Sequence, residues 1–206
     1  MLKTKRHLIL ASASPRRKEL LGWSHLSFEI IVSAIEENSD FELPSDIVMD
    51  LAKQKASAVY KGLDEVKKNQ SLVVGADTIV VFEEQILEKP KTVDEARLML
   101  LKLSGQQHCV YTGVALLLEK REHCFHVKTD VCFDHIDEKL LEKYLETGES
   151  MDKAGAYGIQ GAALAFIGDI KGSYSNVVGL PINHVLRELK GFLGEEYEGL
   201  IDVFNK

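Results

Sequence analysis

The residues of this chain whose types and spacing most suggest chemistry lie in a short polar turn, Ser12-Ala13-Ser14, followed at once by Pro15, Arg16 and Arg17. Leu8, Ile9 and Leu10 before the turn read as a buried strand, Ser14 as an N-cap, Pro15 as the first helical residue, and Leu20 and Leu21 as the start of a buried helix face. Two arginines in a first helical turn carry the wrong sign. A helix N-terminus bears about half a positive charge, and each cation placed there costs about 0.3–1 kcal/mol. The arrangement makes sense if a polyanion such as a triphosphate neutralises Arg16, Arg17, the free backbone N–H groups and the hydroxyls of Ser12 and Ser14 together. Spacing alone leaves a second reading equally open, a solvated basic turn paired with Glu19 or with acids elsewhere.

Further candidates sit where strands meet polar residues. Phe28 to Val32 reads as a second strand running into Glu36 and Glu37. Ser71 to Phe82 reads as an apolar strand broken at Gly75, Ala76, Asp77 and Thr78. An ionised carboxylate is costly to bury without partners, so Asp77 is expected either at a strand end facing a cleft or fully hydrogen-bonded in the core. The cleft is the preferred reading, because open parallel sheets gather ligands at strand ends. Lys89 stands immediately before Pro90, which restricts its backbone to extended or turn conformations; on spacing alone an ordinary exposed loop lysine is the better reading. The glycine-rich stretch from Thr147 to Gly161 is too long for a simple turn and reads as a binding loop, offering Glu149, Asp152, Lys153, Tyr157 and Gln160. Its glycines do not form G-x-G-x-x-G, and no G-x-x-x-x-G-K-[ST] occurs in the chain, so neither a dinucleotide-binding Rossmann site nor a P-loop is supported.

The elements that must position these residues follow from periodicity and punctuation. Pro44 to Leu63 reads as a helix capped by Ser45 or Asp46 and carrying Lys53 and Lys55, and Asp64 to Gln70 as a solvated loop. Val93 to Leu103 and Asp137 to Glu146 read as helices, and His108 to Leu118 with Glu122 to Phe133 as an antiparallel hairpin. Leu164 to Ile170 reads as a strand, Lys171 to Leu180 as a turn and extended piece, Pro181 to Leu189 as a last helix, and the acidic tail from Gly191 as either a short extra helix or a frayed end. His123, Cys124 and His126 do not suggest a metal site, because alternate residues of a strand face opposite ways.

Composition bounds the function. The chain has 206 residues, 45% of them hydrophobic, enough for one large α/β domain or two small lobes. A net charge of −7 argues against nucleic-acid binding as the main role. No apolar run approaches the roughly 20 residues that span a bilayer, and the start of the chain does not look like a signal peptide, so no membrane role and a cytoplasmic location are expected. The three cysteines contain no C-x-x-C and read as core thiols. As a set, a phosphate-seeking turn, carboxylates after strands, fixed lysines and a loop amide point to phosphoryl chemistry. A Mg²⁺ or Mn²⁺ held by one or two carboxylates and by substrate phosphates would suit it, with a carboxylate activating water.

Taken together and in this order, SASPRR, GADT, EKP, TGESMDKAGAYGIQG and SYSNVVGLP resemble the Maf family of nucleoside-triphosphate pyrophosphatases over most of the chain. The resemblance implies an α/β fold with a mixed, elongated, twisted sheet flanked by helices and two lobes with a central cleft, related to the inosine-triphosphate pyrophosphatases, in a single domain over 1–206. It implies hydrolysis of a nucleoside triphosphate to the monophosphate and pyrophosphate with a divalent metal cation. By position, Asp77 matches the proton acceptor; Arg16, Thr78 and Gln160 match positions used for substrate specificity. Ser12, Ser14, Arg17, Lys55, Lys89 and Lys153 match the polar residues lining the triphosphate, Lys55 and Lys89 being placed with Asp77 in the catalytic set. Glu37 matches the acid after the second strand, a metal ligand together with Asp77; Glu36 stands where the family usually has Asp. The DT of the second motif and the IQG of the third resemble the branch acting on dTTP and UTP, and family members commonly form homodimers. The alternatives are a nucleotide-binding regulator of septation or cell shape and a purine, ITP-type pyrophosphatase.

Overall fold

Leu8, Ile9, Leu10 and Ala11 are all buried in strand β1 (His7–Ala11), and an unbroken apolar run of this kind belongs inside a parallel arrangement covered on both faces. β1 pairs in parallel with β2 (Phe28–Ile30) on one side and with β3 (Ser71–Phe82) on the other. β4 (Gln85–Leu87) folds back antiparallel on the end of β3. Only Glu119 and Lys120 separate β5 (Gln107–Leu118) from β6 (Arg121–Phe133), a turn short enough to require an antiparallel hairpin. β7 (Ile167–Lys171) pairs antiparallel with β6. The computed structural model describes residues 6–201, and among them the seven strands form one mixed open sheet in the order β2-β1-β3-β5-β6-β7, with β4 off β3. Helices α1 (Pro15–Gly22), α2 (Pro44–Gly62), α3 (Glu65–Gln70), α4 (Val93–Leu103), α5 (Glu138–Glu146), α6 (Tyr174–Val178), α7 (Ile182–Leu193) and α8 (Tyr197–Ile201) complete the α/β fold. Among the described residues no helix is long and apolar enough to cross a membrane.

The chain divides into two compact units. The first takes the residues up to Asp77, Thr112–Val127 and those from Gly179 onward; the second takes Thr78–Tyr111 and Lys128–Val178. In the first unit, Ala52, Ala56, Val59 and Leu63 of the α2 region meet Ile9, Ala11, Val73, Ala115 and Leu117, with alanines at the closest approach of α2 to the sheet. The second core is aromatic: Phe133 makes edge-to-face contacts with Tyr157 and Phe166 at centroid distances of 4.8 and 5.1 Å, and Tyr144 packs on Phe166 at 5.2 Å.

Several expected elements change shape. Asp64–Gln70 is not a loop: Asp64 caps α3 by accepting the Lys67 N–H at 2.8 Å. β3 runs unbroken through Gly75–Thr78. Ala162–Phe166 is a 3₁₀ segment, so β7 starts only at Ile167, and the piece expected to be extended after Lys171 contains α6. The second strand ends at Ile30 rather than Val32, and α2 starts at Pro44 with Leu43 as its cap residue, so Ser45 and Asp46 lie inside its first turn. Of the two readings of the acidic tail, the structure has the short extra helix: α7 continues to Leu193 and α8 follows.

One buried titratable group makes the second core pH-sensitive. His108 is 1% exposed, bonds Tyr157 Oη through Nε2 at 2.7 Å, and is pulled by burial from 6.5 down to about 4. Below pH 6.5 the unfolded chain takes up a proton that the native His108 does not, so this group's contribution to stability is full above that pH and is lost as pH falls towards 4. Urea unfolding of the wild type should lose up to about 1.4 kcal/mol per pH unit more across that window than His108→Gln does; equal pH slopes would contradict the buried neutral imidazole.

Candidate active site

In the first unit, β3 and α2 meet at very short range. A Cβ at Gly75 would overlap the Ala52 carbonyl oxygen and crowd Ala56, and one at Gly113 of β5 would overlap the Val48 backbone. These glycines let α2 lie directly against the sheet. Side chains alternate along a strand, so Asp77 leaves β3 on the same face as Gly75. Lys55 stands in the α2 turn that carries Ala52 and Ala56 and therefore meets it: Lys55 Nζ donates to Asp77 Oδ1 at 2.6 Å and pairs with Glu37 Oε2 at 2.7 Å. Asp77 and Lys55 are each 8% exposed, whereas Glu37, in the irregular segment 31–43, keeps 46% of its side chain exposed. Asp77 is thus not at a strand end. It lies within an unbroken strand, and a lysine supplies the partner that burial requires.

The expected helix start is present. Pro15 opens α1 and Ser14 caps it, accepting the Arg17 N–H at 3.4 Å. The buried Ser12 Oγ accepts from Ser14 N–H at 3.2 Å and from Arg17 Nη1 at 3.3 Å, and Arg17 Nε donates to the Gly179 carbonyl at 2.9 Å. Gly179 presents that carbonyl from a φ of 123°, a conformation that L side chains rarely adopt. Burial lowers the pKa of the half-buried Arg17; Asp77 and Glu37 oppose this, and Arg16 adds to it. Arg17 is therefore held back over the turn within the field of both carboxylates.

In the second unit, the Thr147–Gly161 loop is fixed by side chains and contains one short helical turn, Ala154–Ala156. The buried Tyr144 hydroxyl donates to the Ala156 carbonyl at 3.3 Å and is bonded by the Gly158 backbone, while Lys153 Nζ donates to Glu149 O at 2.6 Å and Asp152 Oδ1 at 2.5 Å. Gly155 N–H donates to Glu88 O at 3.2 Å, which ties the segment of Lys89 to this loop. Lys89 and Gln160 are exposed, and Thr78 and Lys153 half-buried. The structure thus groups Ser12, Ser14 and Arg17 around one turn, with Arg16 adjoining; Lys55, Glu37 and Asp77 around one charge; and Lys89 with the loop of Lys153 and Gln160. Sequence reading missed the Gly179 carbonyl, whose one trace is a glycine in VVGLP, and did not single out Glu149 from its loop.

Glu37 and Asp77 already share one cation, the Lys55 ammonium, and an oxygen-only pair of this kind suits Mg²⁺ or Mn²⁺. Among the described residues no group of three or more His, Cys, Asp or Glu could hold a metal, and a Mg²⁺ bound by one or two carboxylates completes its shell with water and substrate phosphates.

A lysine bound between two carboxylates and an arginine pinned at a helix start give this α/β protein a charge arrangement compatible with an anionic ligand. This chain belongs to the Maf family: the family profile, described as Maf-like protein, matches residues 7–192. It is 49% identical over 188 residues to a protein of Bacillus cereus (strain B4264) named dTTP/UTP pyrophosphatase, covering 91% of this chain and 96% of that one. A protein of Bacillus cytotoxicus with the same name is 50% identical over 185 residues, covering 89% and 94%. Among solved structures, a HAM1 protein from Coxiella burnetii overlaps 62% of this chain and 73% of that one, at a TM-score of 0.42 and 16% identity.

The close approach of α2 is open to test. Gly75→Ala places a methyl group against the Ala52 carbonyl and should lower stability by about 1–3 kcal/mol in urea unfolding; unchanged stability would show that the helix does not sit this close.

Proposed function

We propose that this protein is a hydrolase of nucleotide metabolism that converts dTTP and UTP to the monophosphate and pyrophosphate by attack of water on the α-phosphorus. The observation that carries the reading is the 49–50% identity, over about nine-tenths of the chain, to proteins bearing that name. The geometry supports it. Asp77 is the proposed base, and Lys55 fixes its carboxylate by donating to Oδ1. Lys55 offsets the repulsion between Asp77 and Glu37 and orients the base. Ser12, Ser14, Arg16, Arg17 and the first backbone N–H groups of α1 receive phosphate oxygens. Lys89 and Lys153 stabilise the charge that develops on the pyrophosphate. Thr78 and Gln160 read the base, since an amide and a hydroxyl both donate and accept and so reject bases that leave them unpaired. Glu37 and Asp77 would hold the divalent cation, which when bound polarises the phosphoryl oxygens. A cytoplasmic location, and the homodimer that the family resemblance implies, belong to the same proposal.

Pyrophosphate release from dTTP, UTP, CTP, GTP and ITP, each with Mg²⁺ or Mn²⁺, tests it. Turnover of dTTP and UTP should exceed the others, and Asp77→Asn should lower kcat by about 10²–10⁴-fold. Preference for ITP would favour a purine enzyme, and binding without turnover of any nucleotide would favour the regulatory reading.

A further inference from the structure

We infer that Glu149 is a positioning residue for base selection: its carboxylate closes the glycine-rich loop beside Gln160 and fixes where that amide is presented. The inference rests on the proposed role of Gln160. Gln160 is exposed, so burial of its own side chain does not set its direction. Its backbone lies in one turn, closed by the Gly161 N–H donating to the Gly158 carbonyl at 3.2 Å, between the helical turn at Ala154–Ala156 and the 3₁₀ segment from Ala162. A second tie sets where that turn stands.

Glu149 does so from the opposite end of the loop. Its Oε2 accepts the Ala162 N–H at 3.1 Å, two residues after Gln160. A Cβ at Gly161 would overlap this carboxylate, and the three heavy atoms nearest to such a Cβ all belong to the Glu149 carboxyl group. Gly161 has φ −121° and ψ −154°, an extended conformation open to any residue. Glycine is therefore needed at 161 for space, and the space is the seat of the Glu149 carboxylate. Glu149 is itself fixed at its backbone: its N–H donates to Thr147 Oγ1 at 3.1 Å, its carbonyl accepts from Lys153 Nζ at 2.6 Å, and Thr147 Oγ1 donates in turn to the Tyr144 carbonyl at 2.6 Å. The carboxylate thus connects the end of α5 to the residues flanking Gln160. A glutamine that must both donate to and accept from a pyrimidine edge depends on this, because a displacement of about 1 Å removes one of the two bonds. Loosening the clamp should therefore reduce discrimination between uracil and cytosine, whose donor and acceptor positions are exchanged, more than it reduces hydrolysis.

The test compares kcat/KM for UTP and CTP, with melting temperatures, in Glu149→Ala, Glu149→Gln, Gly161→Ala and Gln160→Ala. Glu149→Ala is expected to lower the UTP:CTP ratio at least about tenfold, chiefly through KM for UTP. Glu149→Gln should keep the wild-type ratio, because its amide oxygen accepts the same Ala162 bond. Gly161→Ala should reproduce Glu149→Ala, since the methyl group evicts the carboxylate, and the double variant should be no worse than either single one. A wild-type ratio in Glu149→Ala alongside a lost ratio in Gln160→Ala would overturn the inference and leave Glu149 a structural staple. A wild-type ratio in Gln160→Ala would instead overturn the base-reading role and the inference with it.

Discussion

Two carboxylates and one ammonium in the first unit set the terms for much of what surrounds them. Asp77 and Glu37 repel each other, and Asp77 is buried enough that water does not screen it well. Lys55 resolves both difficulties only if α2 lies close enough to β3 for a single side chain to reach both acids. That requirement propagates outward. It accounts for glycine at 75 and 113 and for alanine at 52 and 56, where the helix touches the sheet. Arg17 then adds a second cation within the field of the same acids, pinned by Ser12 and the Gly179 carbonyl. The result is a fixed set of charges in which little needs to reorganise when a polyanion arrives, the condition under which electrostatic catalysis is strongest.

The second unit solves a different problem. Its candidate groups Lys89, Lys153 and Gln160 lie on loops, which have no ladder of backbone bonds to hold them. Aromatic packing supplies the rigid base, with Phe133, Tyr157, Phe166 and Tyr144 in edge-to-face contact. From that base, the hydroxyl of Tyr144 and the side chains of Lys153 and Glu149 secure the glycine-rich loop at successive points. The glycines at 158 and 161 are the complement of those staples, since a Cβ at either would collide with Lys153 or Glu149.

Local signals were legible where local physics decides. The Ser14-Pro15 start of α1, the α4 and α5 helices and the β5–β6 hairpin follow from caps, periodicity and turn length, and the mixed sheet follows from the family resemblance. Misreadings occurred where a distant partner sets the conformation. Gly75 looks like a strand breaker, yet it keeps β3 continuous because α2 approaches there. EVKKNQ looks like a charged loop until Asp64 is seen to cap it. The valines of SYSNVVGLP suggest a strand, but Ser173 accepts the Asn176 N–H through its Oγ at 3.3 Å and starts a helical turn. Within the candidate site, Asp77 stood out because an acid in an apolar run demands an explanation. Lys55 stands out only through the family resemblance, because a helical lysine is ordinary until its register against β3 is known. The Gly179 carbonyl carries no side chain to notice.

Steady-state rates do not reveal which phosphorus is attacked, and that is the central chemical claim. Hydrolysis of UTP in H₂¹⁸O, followed by mass spectrometry of both products, decides it. With attack on the α-phosphorus, as proposed, the label appears in UMP and not in pyrophosphate. Label in the pyrophosphate would place the attack on the β-phosphorus and contradict the roles assigned to Asp77 and the cations around it.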